Sequence, residues 1–324
     1  MPDTTGTNST RMPPDTGLNS GGISTPCAIC DIYGEADEMY PARLVGAPLD
    51  ETTFSARRTY HERFHFRIVQ CRRCGLLRSD PVTLAQEKFV AGYQMSRLTY
   101  EGEIDNLCQT YGFYISRLEQ TLPGKDNILE IGCGNGFFLE EALNRGFKHA
   151  YGVEPSHDAV RKASPRVRPG IKVGMFSRDL FPANFFDLIC IFQTMDHLLD
   201  PSGVLRDCLV LLKPGGLILA INHNARAVSA RILGERSPIF DIQHTYLYDA
   251  ATMRKLFEKS GFAVLNAFSV KNKFSMEYLL FLLPLKPQWL KEWLQKGLSV
   301  GRLSRVAVFL PIGNVGLIAQ KRSY

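Results

Sequence analysis

The chain has 324 residues, 45% of them hydrophobic, a net charge of +6 and eight cysteines. Such a length and apolar share can bury a sizeable core, predict more than one domain and exclude a wholly disordered or fibrous chain. No apolar run reaches the ~18 residues a membrane helix needs, and the start lacks the basic and apolar stretches of a secretory leader, so a cytoplasmic location is the simplest inference.

Residues 1–25 are rich in Thr, Ser, Pro and Gly and nearly free of large apolar side chains, so they cannot repay ordering entropy and are expected to be a disordered tail. Residues 26–80 follow as a small module. Cys27-Ala-Ile-Cys30 and Cys71-Arg-Arg-Cys74-Gly75 each present two thiolates from a tight turn, the spacing of a structural zinc ion with Cys27, Cys30, Cys71 and Cys74 as its ligands. Gly75 lets the second turn curl so that amide groups face the sulfurs. From Arg57 to Arg78 there are seven arginines against one acid, Glu62. Such a face could grip phosphate, yet charge runs are more often solvated surface, and Tyr60, Phe64 and Phe66 alternate with polar residues as in a half-buried strand. Cys108, Cys133, Cys190 and Cys208 have no metal spacing and read as core or near-loop residues.

Residues 81–125 carry a helical period with Tyr93, Tyr100, Tyr111 and Tyr114. Ile128 to Gly136 then reads Ile-Leu-Glu-Ile-Gly-Cys-Gly-Asn-Gly, an apolar strand opening into a glycine-rich turn before a helix. This is the pattern of a nucleotide-cofactor loop, in which the backbone N–H groups approach a ligand too closely for Cβ atoms. A dinucleotide fingerprint would place its third glycine where Phe137 stands, which argues against NAD. Glu130, Gly132, Cys133, Gly134, Asn135 and Gly136 form the candidate loop, and Glu154, ending the next apolar strand, can accept from both hydroxyls of a ribose.

Beyond the loop the expected elements are strand 128–132, helix 137–145, strand 149–154, helix 156–163, strands 171–176 and 186–192, helix 202–212, strand 217–223, a sixth strand at 262–270 and a last one at 315–320. This alternation predicts an α/β fold with a doubly wound, mostly parallel sheet. Ligands then sit at the carboxyl ends of its strands, which gathers Glu130, Glu154, Met175, Phe176 and Gln193 on one rim.

With the loop, Phe186-Asp187-Leu188-Ile189, Met195-Asp196-His197-Leu198-Leu199-Asp200-Pro201 and Leu212-Lys213-Pro214-Gly215-Gly216 stand in order. From Asp126 to Lys321 the chain resembles the class I S-adenosylmethionine-dependent methyltransferases. The resemblance implies a Rossmann-like seven-stranded sheet, S-adenosylmethionine as cofactor, Met175 and Phe176 beside its adenine, and a helical region at 81–125 that covers it.

An acceptor hydroxyl or carbon acid must lose its proton before methylation, and histidine suits that at neutral pH. His197 follows the fourth strand, His223 ends the fifth, and His244 lies in Phe240-Asp241-Ile242-Gln243-His244-Thr245-Tyr246 after it. Zinc-bearing sugar-nucleotide C-methyltransferases place a catalytic histidine in a similar element, preceded by glutamate. Gln243 stands here in the glutamate's place and Asp241 in that of a tyrosine. The resemblance implies His244 as base; His197, by its place after the fourth strand, is a second candidate that also fits a structural or cofactor-adjacent role.

Between the last two strands, residues 271–312 are expected to form a helical insert. Lys271 to Arg305 has seven basic residues and two acids, and Trp289, Leu290, Trp293, Leu294 and Leu298 make an apolar stripe. A lid, a dimer face or peripheral membrane contact through residues 278–305 would each fit this pattern.

The sequence thus points to a zinc-bearing methyltransferase acting on a small polar metabolite, a sugar or sugar-nucleotide-like acceptor at oxygen or carbon. The competing readings are an RNA methyltransferase gripping its substrate with the basic module, and a cofactor-binding adaptor without turnover. No base-flipping motif supports the first, and the intact glycine loop speaks against the second.

Overall fold

The computed structural model describes residues 22–44, 64–83, 104–276, 280, 293–294, 297 and 307–322. Among these, no helix is long and apolar enough to cross a membrane.

The front of the chain supplies β1 (Gly22–Ile23), β2 (Ala36–Tyr40), β3 (Ile68–Cys71), β4 (Leu77–Ser79) and β5 (Val82–Thr83). β1 pairs with β5, and the Thr25 amide donates to Asp80 Oδ1 at 2.9 Å. The expected tail therefore ends before residue 22, because backbone pairing, which composition does not report, ties down residues 22–25. β2, β3 and β4 are antiparallel neighbours. Phe64 and Phe66 are buried against Val82 and Ile242 as core residues, while Tyr60 lies outside the described residues.

The described arginines of the run from Arg57 to Arg78 are engaged within this front. Arg72 pairs with Asp37 and Arg73 with Glu35, each at 2.6 Å, and the fully buried Arg78 donates from Nε to the Thr25 carbonyl. Arg57, Arg58 and Arg63 lie outside the described residues.

Next come α1 (Ile104–Ser116), β6 (Asn127–Ile131), α2 (Phe137–Asn144), β7 (His149–Glu154), α3 (His157–Arg161), β8 (Ile171–Val173), β9 (Phe186–Phe192), α4 (Pro201–Leu211), β10 (Leu212–His223), α5 (Val228–Leu233), β11 (Tyr246–Leu247), α6 (Ala250–Lys259), β12 (Ala263–Ser275) and β13 (Ala307–Gln320). β6 and β9 are buried along their whole length, as strands covered on both faces must be. Polar caps set the helix starts: Ser156 accepts from Ala159 N, Asp200 from Gly203 N before Pro201, and Asp249 makes a capping box with Thr252.

The main sheet has the order β12-β13-β10-β9-β6-β7-β8. β6 to β10 run parallel, and β13 is antiparallel to both its neighbours. This is the expected Rossmann-like seven-stranded sheet. Its strand order reverses between β6 and β9, the place at which doubly wound sheets take ligands beyond the carboxyl ends of their strands. One face is covered by α4 and α6 around Leu205, Leu211, Met253 and Phe257, and the other by α1 and α2 around Tyr111, Ile115 and Phe138.

Three expectations shift. The strand foreseen at 171–176 stops at Val173, because Gly174 turns the chain at φ 141°. The insert foreseen as helical over 271–312 is strand at both ends: β12 runs to Ser275 and β13 starts at Ala307, with Asn272 opposite Leu310 and Phe274 opposite Val308. Ala307 to Leu310 and Val270 to Ser275 carry β-branched and aromatic residues, Val308, Phe309, Val270 and Phe274, that favour such pairing, and Tyr114 Oη and Thr110 Oγ1 of α1 accept from the Lys271 and Lys273 amides. Helix also gives way at 82–83, which form β5; residues 84–103 lie outside the described residues, as do most of 278–305.

The front sheet is not self-contained. Its order is β11-β4-β3-β2, so a strand from beyond residue 245 completes a sheet begun before residue 40.

Candidate active site

The glycine loop follows from its backbone angles. Gly132, Gly134 and Gly136 have φ of 77°, 53° and 72°, a left-handed run that residues with a Cβ enter only at a cost. A Cβ at Gly132 would also collide with Thr194 Oγ1, so the turn from β6 can lie against the end of β9 only with glycine there. Cys133 lends backbone alone: its sulfur packs against Gly152 of β7, and burial pushes its thiol up.

Two acids flank the turn differently. Glu154 is fully buried, and its carboxylate accepts from the Gly134 and Ser156 amides, each at 2.8 Å. It braces the loop by accepting from an amide on either side of it. Glu130 is also buried, but its Oε2 has no partner among the described residues. Burial, reinforced by the charge of Glu154, pushes its carboxyl well above the usual range. Asn135 Oδ1 and Gln193 Oε1 are likewise buried without a partner. Gln193 holds φ 49° just past β9, where its amide donates to the Ile221 carbonyl at 2.7 Å. Three unfilled acceptors at the crevice, with a loop too tight for Cβ atoms, fit a cofactor rich in hydroxyl and amino groups. Above them Tyr111 of α1 stacks on Phe192 with ring centroids 4.1 Å apart.

Met175 and Phe176 lie farther out, in the bend after β8. Met175 is 59% exposed and Phe176 is half-buried against the main core. A separate cleft of about 410 Å³, lined by Tyr40, Gln70, Arg226, Arg231 and Phe240 among others, contains none of the rim residues.

The histidines converge. Asp196, fully buried after β9, is met at Oδ2 by His223 Nδ1 (2.7 Å) and His244 Nε2 (3.7 Å), and at Oδ1 by His197 Nε2 (3.7 Å). The rings of His197 and His223 each lie 5.0 Å from that of His244. Burial opposes ionisation of Asp196, but the three imidazoles outweigh it and hold its carboxyl far below the usual range. Desolvation lowers the His197 pKa, although 39% of that side chain still meets solvent. Asp196 was not among the expected site residues; its signal was its place beside His197, in a segment weighed only as a family landmark.

The front sheet holds His244. Ser79 Oγ donates to the His244 carbonyl at 2.8 Å, and the Ser79 amide to the Thr245 carbonyl at 2.9 Å. Tyr246 Oη in turn donates to the Pro26 carbonyl beside the first cysteine pair.

The four front cysteines come together as expected. Cys27 and Cys74 sulfurs are 3.4 Å apart, Cys30 and Cys71 4.0 Å, and all four lie within 4.8 Å of one another. Asp31 and Gly75, at equivalent places after each pair, take φ of 55° and 83° and return their amides to the Cys27 and Cys71 carbonyls. A hydrogen bond with Cys74 holds the Cys27 thiol down to about 5, and burial pushes Cys30 up to about 11. Four sulfurs on two such turns suit a tetrahedral ion with no open position.

Residues 103–267 match the family described as "Methyltransferase domain". A ubiquinone biosynthesis O-methyltransferase of Maricaulis maris is 30% identical over 141 residues, 40% of this chain and 52% of that protein. A probable S-adenosylmethionine-dependent methyltransferase of Mycolicibacterium smegmatis is 30% identical over 151 residues, 46% of this chain and 56% of that protein. The chain thus spans about half the length of the curated relatives it matches. Among solved structures, a Haloferax volcanii complex between the Trm112 methyltransferase activator and a putative methyltransferase aligns with a TM-score of 0.51 at 17% identity, over 69% of this chain and 93% of that one, a likeness of fold.

Proposed function

The chain belongs to the methyltransferase-domain family, and from that premise we propose that it transfers the methyl group of S-adenosylmethionine to a small polar acceptor at oxygen or carbon, a sugar or sugar-nucleotide-like metabolite. The observation that carries the reading is the set of partnerless buried acceptors Glu130 Oε2, Asn135 Oδ1 and Gln193 Oε1 around a glycine loop at the crevice of a parallel sheet.

In this reading the cofactor's ribose hydroxyls donate to the Glu154 carboxylate at the end of β7, and its amino groups meet the acceptors of Glu130, Asn135 and Gln193, with Met175 and Phe176 at the adenine edge. The cofactor supplies an already activated methyl group, so the chain's own task is to align the acceptor and exclude water. The acceptor proton leaves at the rim, where His244 and His197 flank the buried Asp196 charge. The four cysteines hold a structural zinc ion whose module braces the His244 segment.

RNA methylation is not favoured, because Arg72, Arg73 and Arg78 are engaged with acids and carbonyls of their own module. Isothermal titration with S-adenosylmethionine and its demethylated product tests the main reading: micromolar binding of both is expected, and no binding to folded protein would overturn it. Turnover with a hydroxylated acceptor then separates the enzyme from an adaptor.

A further inference from the structure

We propose that Asp196, His197 and His244 form a second metal site, taking a first-row divalent cation of the zinc or ferrous type, distinct from the cysteine cluster. The inference rests on the methyltransferase reading only for what the ion does, not for its binding.

The tautomers carry the argument. His197 Nδ1 lies 3.1 Å from the Gln243 carbonyl and His244 Nδ1 2.7 Å from the Ile239 carbonyl. A carbonyl only accepts, so both Nδ1 atoms donate, and in the neutral rings both Nε2 atoms carry lone pairs. Those lone pairs face Asp196 at 3.7 Å, too far for a hydrogen bond and unfavourable for two acceptors facing each other. A cation between them resolves the arrangement. Bonds of about 2.0–2.2 Å around a tetrahedral ion separate neighbouring ligand atoms by roughly 3.4 Å, close to the 3.7 Å between His197 Nε2 and Asp196 Oδ1, with His244 Nε2 3.7 Å from the other oxygen of the same carboxylate. Asp196 Oδ1, buried and accepting no hydrogen bond from the described residues, is the third ligand atom, and the three residues' ligand atoms lie within 4.8 Å of one another.

The surroundings are those of a metal centre. Each ligating ring donates its other N–H to a backbone carbonyl, which fixes ring and tautomer. His223 donates from Nδ1 to Asp196 Oδ2 at 2.7 Å and orients the carboxylate from outside the ligand set. Two imidazoles and one carboxylate leave coordination positions open, unlike the closed cysteine set, and His197 reaches solvent on that side. An acceptor hydroxyl bound at an open position becomes more acidic. Its proton passes to solvent, its oxygen lone pair forms the new bond to the cofactor's methyl carbon, and the electron pair of the breaking C–S bond stays on sulfur, leaving a neutral thioether.

The test is metal content and a Co²⁺ spectrum on the full chain, with Asp196→Asn and the surface-accessible His197→Ala as variants, each checked for an unchanged S-adenosylmethionine affinity as a sign of intact folding. After equilibration with Zn²⁺, the natural chain should hold one equivalent more than either variant. Its Co²⁺ form should show visible d–d bands of a nitrogen–oxygen site that both variants lose, while the sulfur-to-cobalt bands persist. Cys71→Ser should show the converse. Equal metal content and equal spectra in the natural chain and a folded variant would overturn the site and leave a water-bridged histidine cluster. Metal binding without cofactor binding would keep this proposal and sink the methyltransferase reading instead.

Discussion

The cysteine cluster and the histidine cluster are both candidate metal centres, yet they are built in opposite ways. The four sulfurs come from two turns of one small sheet, each pair three positions apart, and they enclose their centre. The histidine cluster draws on residues after β9, at the end of β10 and before β11, and one side stays open through His197. A closed, locally built set suits holding a shape, and an open set assembled from distant segments suits exchange and chemistry. β11 links the two, because the front sheet that carries the cysteines also carries the segment after His244.

The largest effect should come from the closed set. Cys71→Ser removes one of four ligands and is expected to cost about 3 kcal/mol or more of stability by chemical denaturation, with release of one equivalent of zinc. Unchanged stability and metal content would erase the contrast, since the cysteines would then hold nothing. At the open set, His244→Ala should lower kcat by about 10² or more while leaving cofactor affinity within threefold; a loss below threefold would make His244 a bystander. The loop offers a control outside both clusters. Glu154→Ala removes the acceptor of two backbone amides and, in the proposed binding mode, of the ribose hydroxyls, and should weaken cofactor binding at least ~10-fold by titration calorimetry. The link itself should respond least. Ser79→Ala deletes one hydrogen bond to the His244 carbonyl, worth about 1 kcal/mol, and should lower kcat a few-fold without altering zinc content. An unchanged kcat would mean that the front sheet does not tune the histidine.

Glu130 adds a pH-dependent test. Its folded pKa lies above its unfolded one, so the folded chain keeps a proton that the unfolded chain releases. The stability this group contributes is full below the unfolded pKa, ~4.3, and is lost as pH rises toward the folded value. Glu130→Gln should therefore flatten the fall of cofactor-free melting temperature between about pH 4.3 and neutrality, and an unchanged slope would place the ionisation elsewhere.

What the sequence disclosed follows the same division. The glycine loop, both acids and both cysteine pairs were legible because their geometry is set within a few residues: left-handed glycines, a strand end, a three-residue turn. The strand alternation predicted the sheet for the same reason. Asp196 was not singled out, because its importance arises only when β9, β10 and the segment before β11 meet. Both ends of the insert read as helix in the sequence, since the pairing of Phe274 with Val308 is long-range and the basic residues resemble a helix's polar face. Residues 22–25 read as tail in the sequence because the partners that hold them, Val82 and Asp80, lie over fifty positions away.

The pairing of β4 with β11 also bears on how the chain acquires its structure. The hydrogen bond from Ser79 to His244 spans 165 positions, and that from Tyr246 to Pro26 spans 220. Contacts of such separation close very large loops and form late, after the nearer β6–β7 and β6–β9 pairings have gathered the chain. During synthesis the front cysteines and β2 to β4 emerge long before their fourth strand exists, so Leu77 and Ile68 wait without the apolar cover that Leu247 later gives them. The last step of folding would then be the one that seats the front sheet on the His244 segment, and a chain stalled before it could hold a finished cofactor loop and a gathered histidine cluster without their brace.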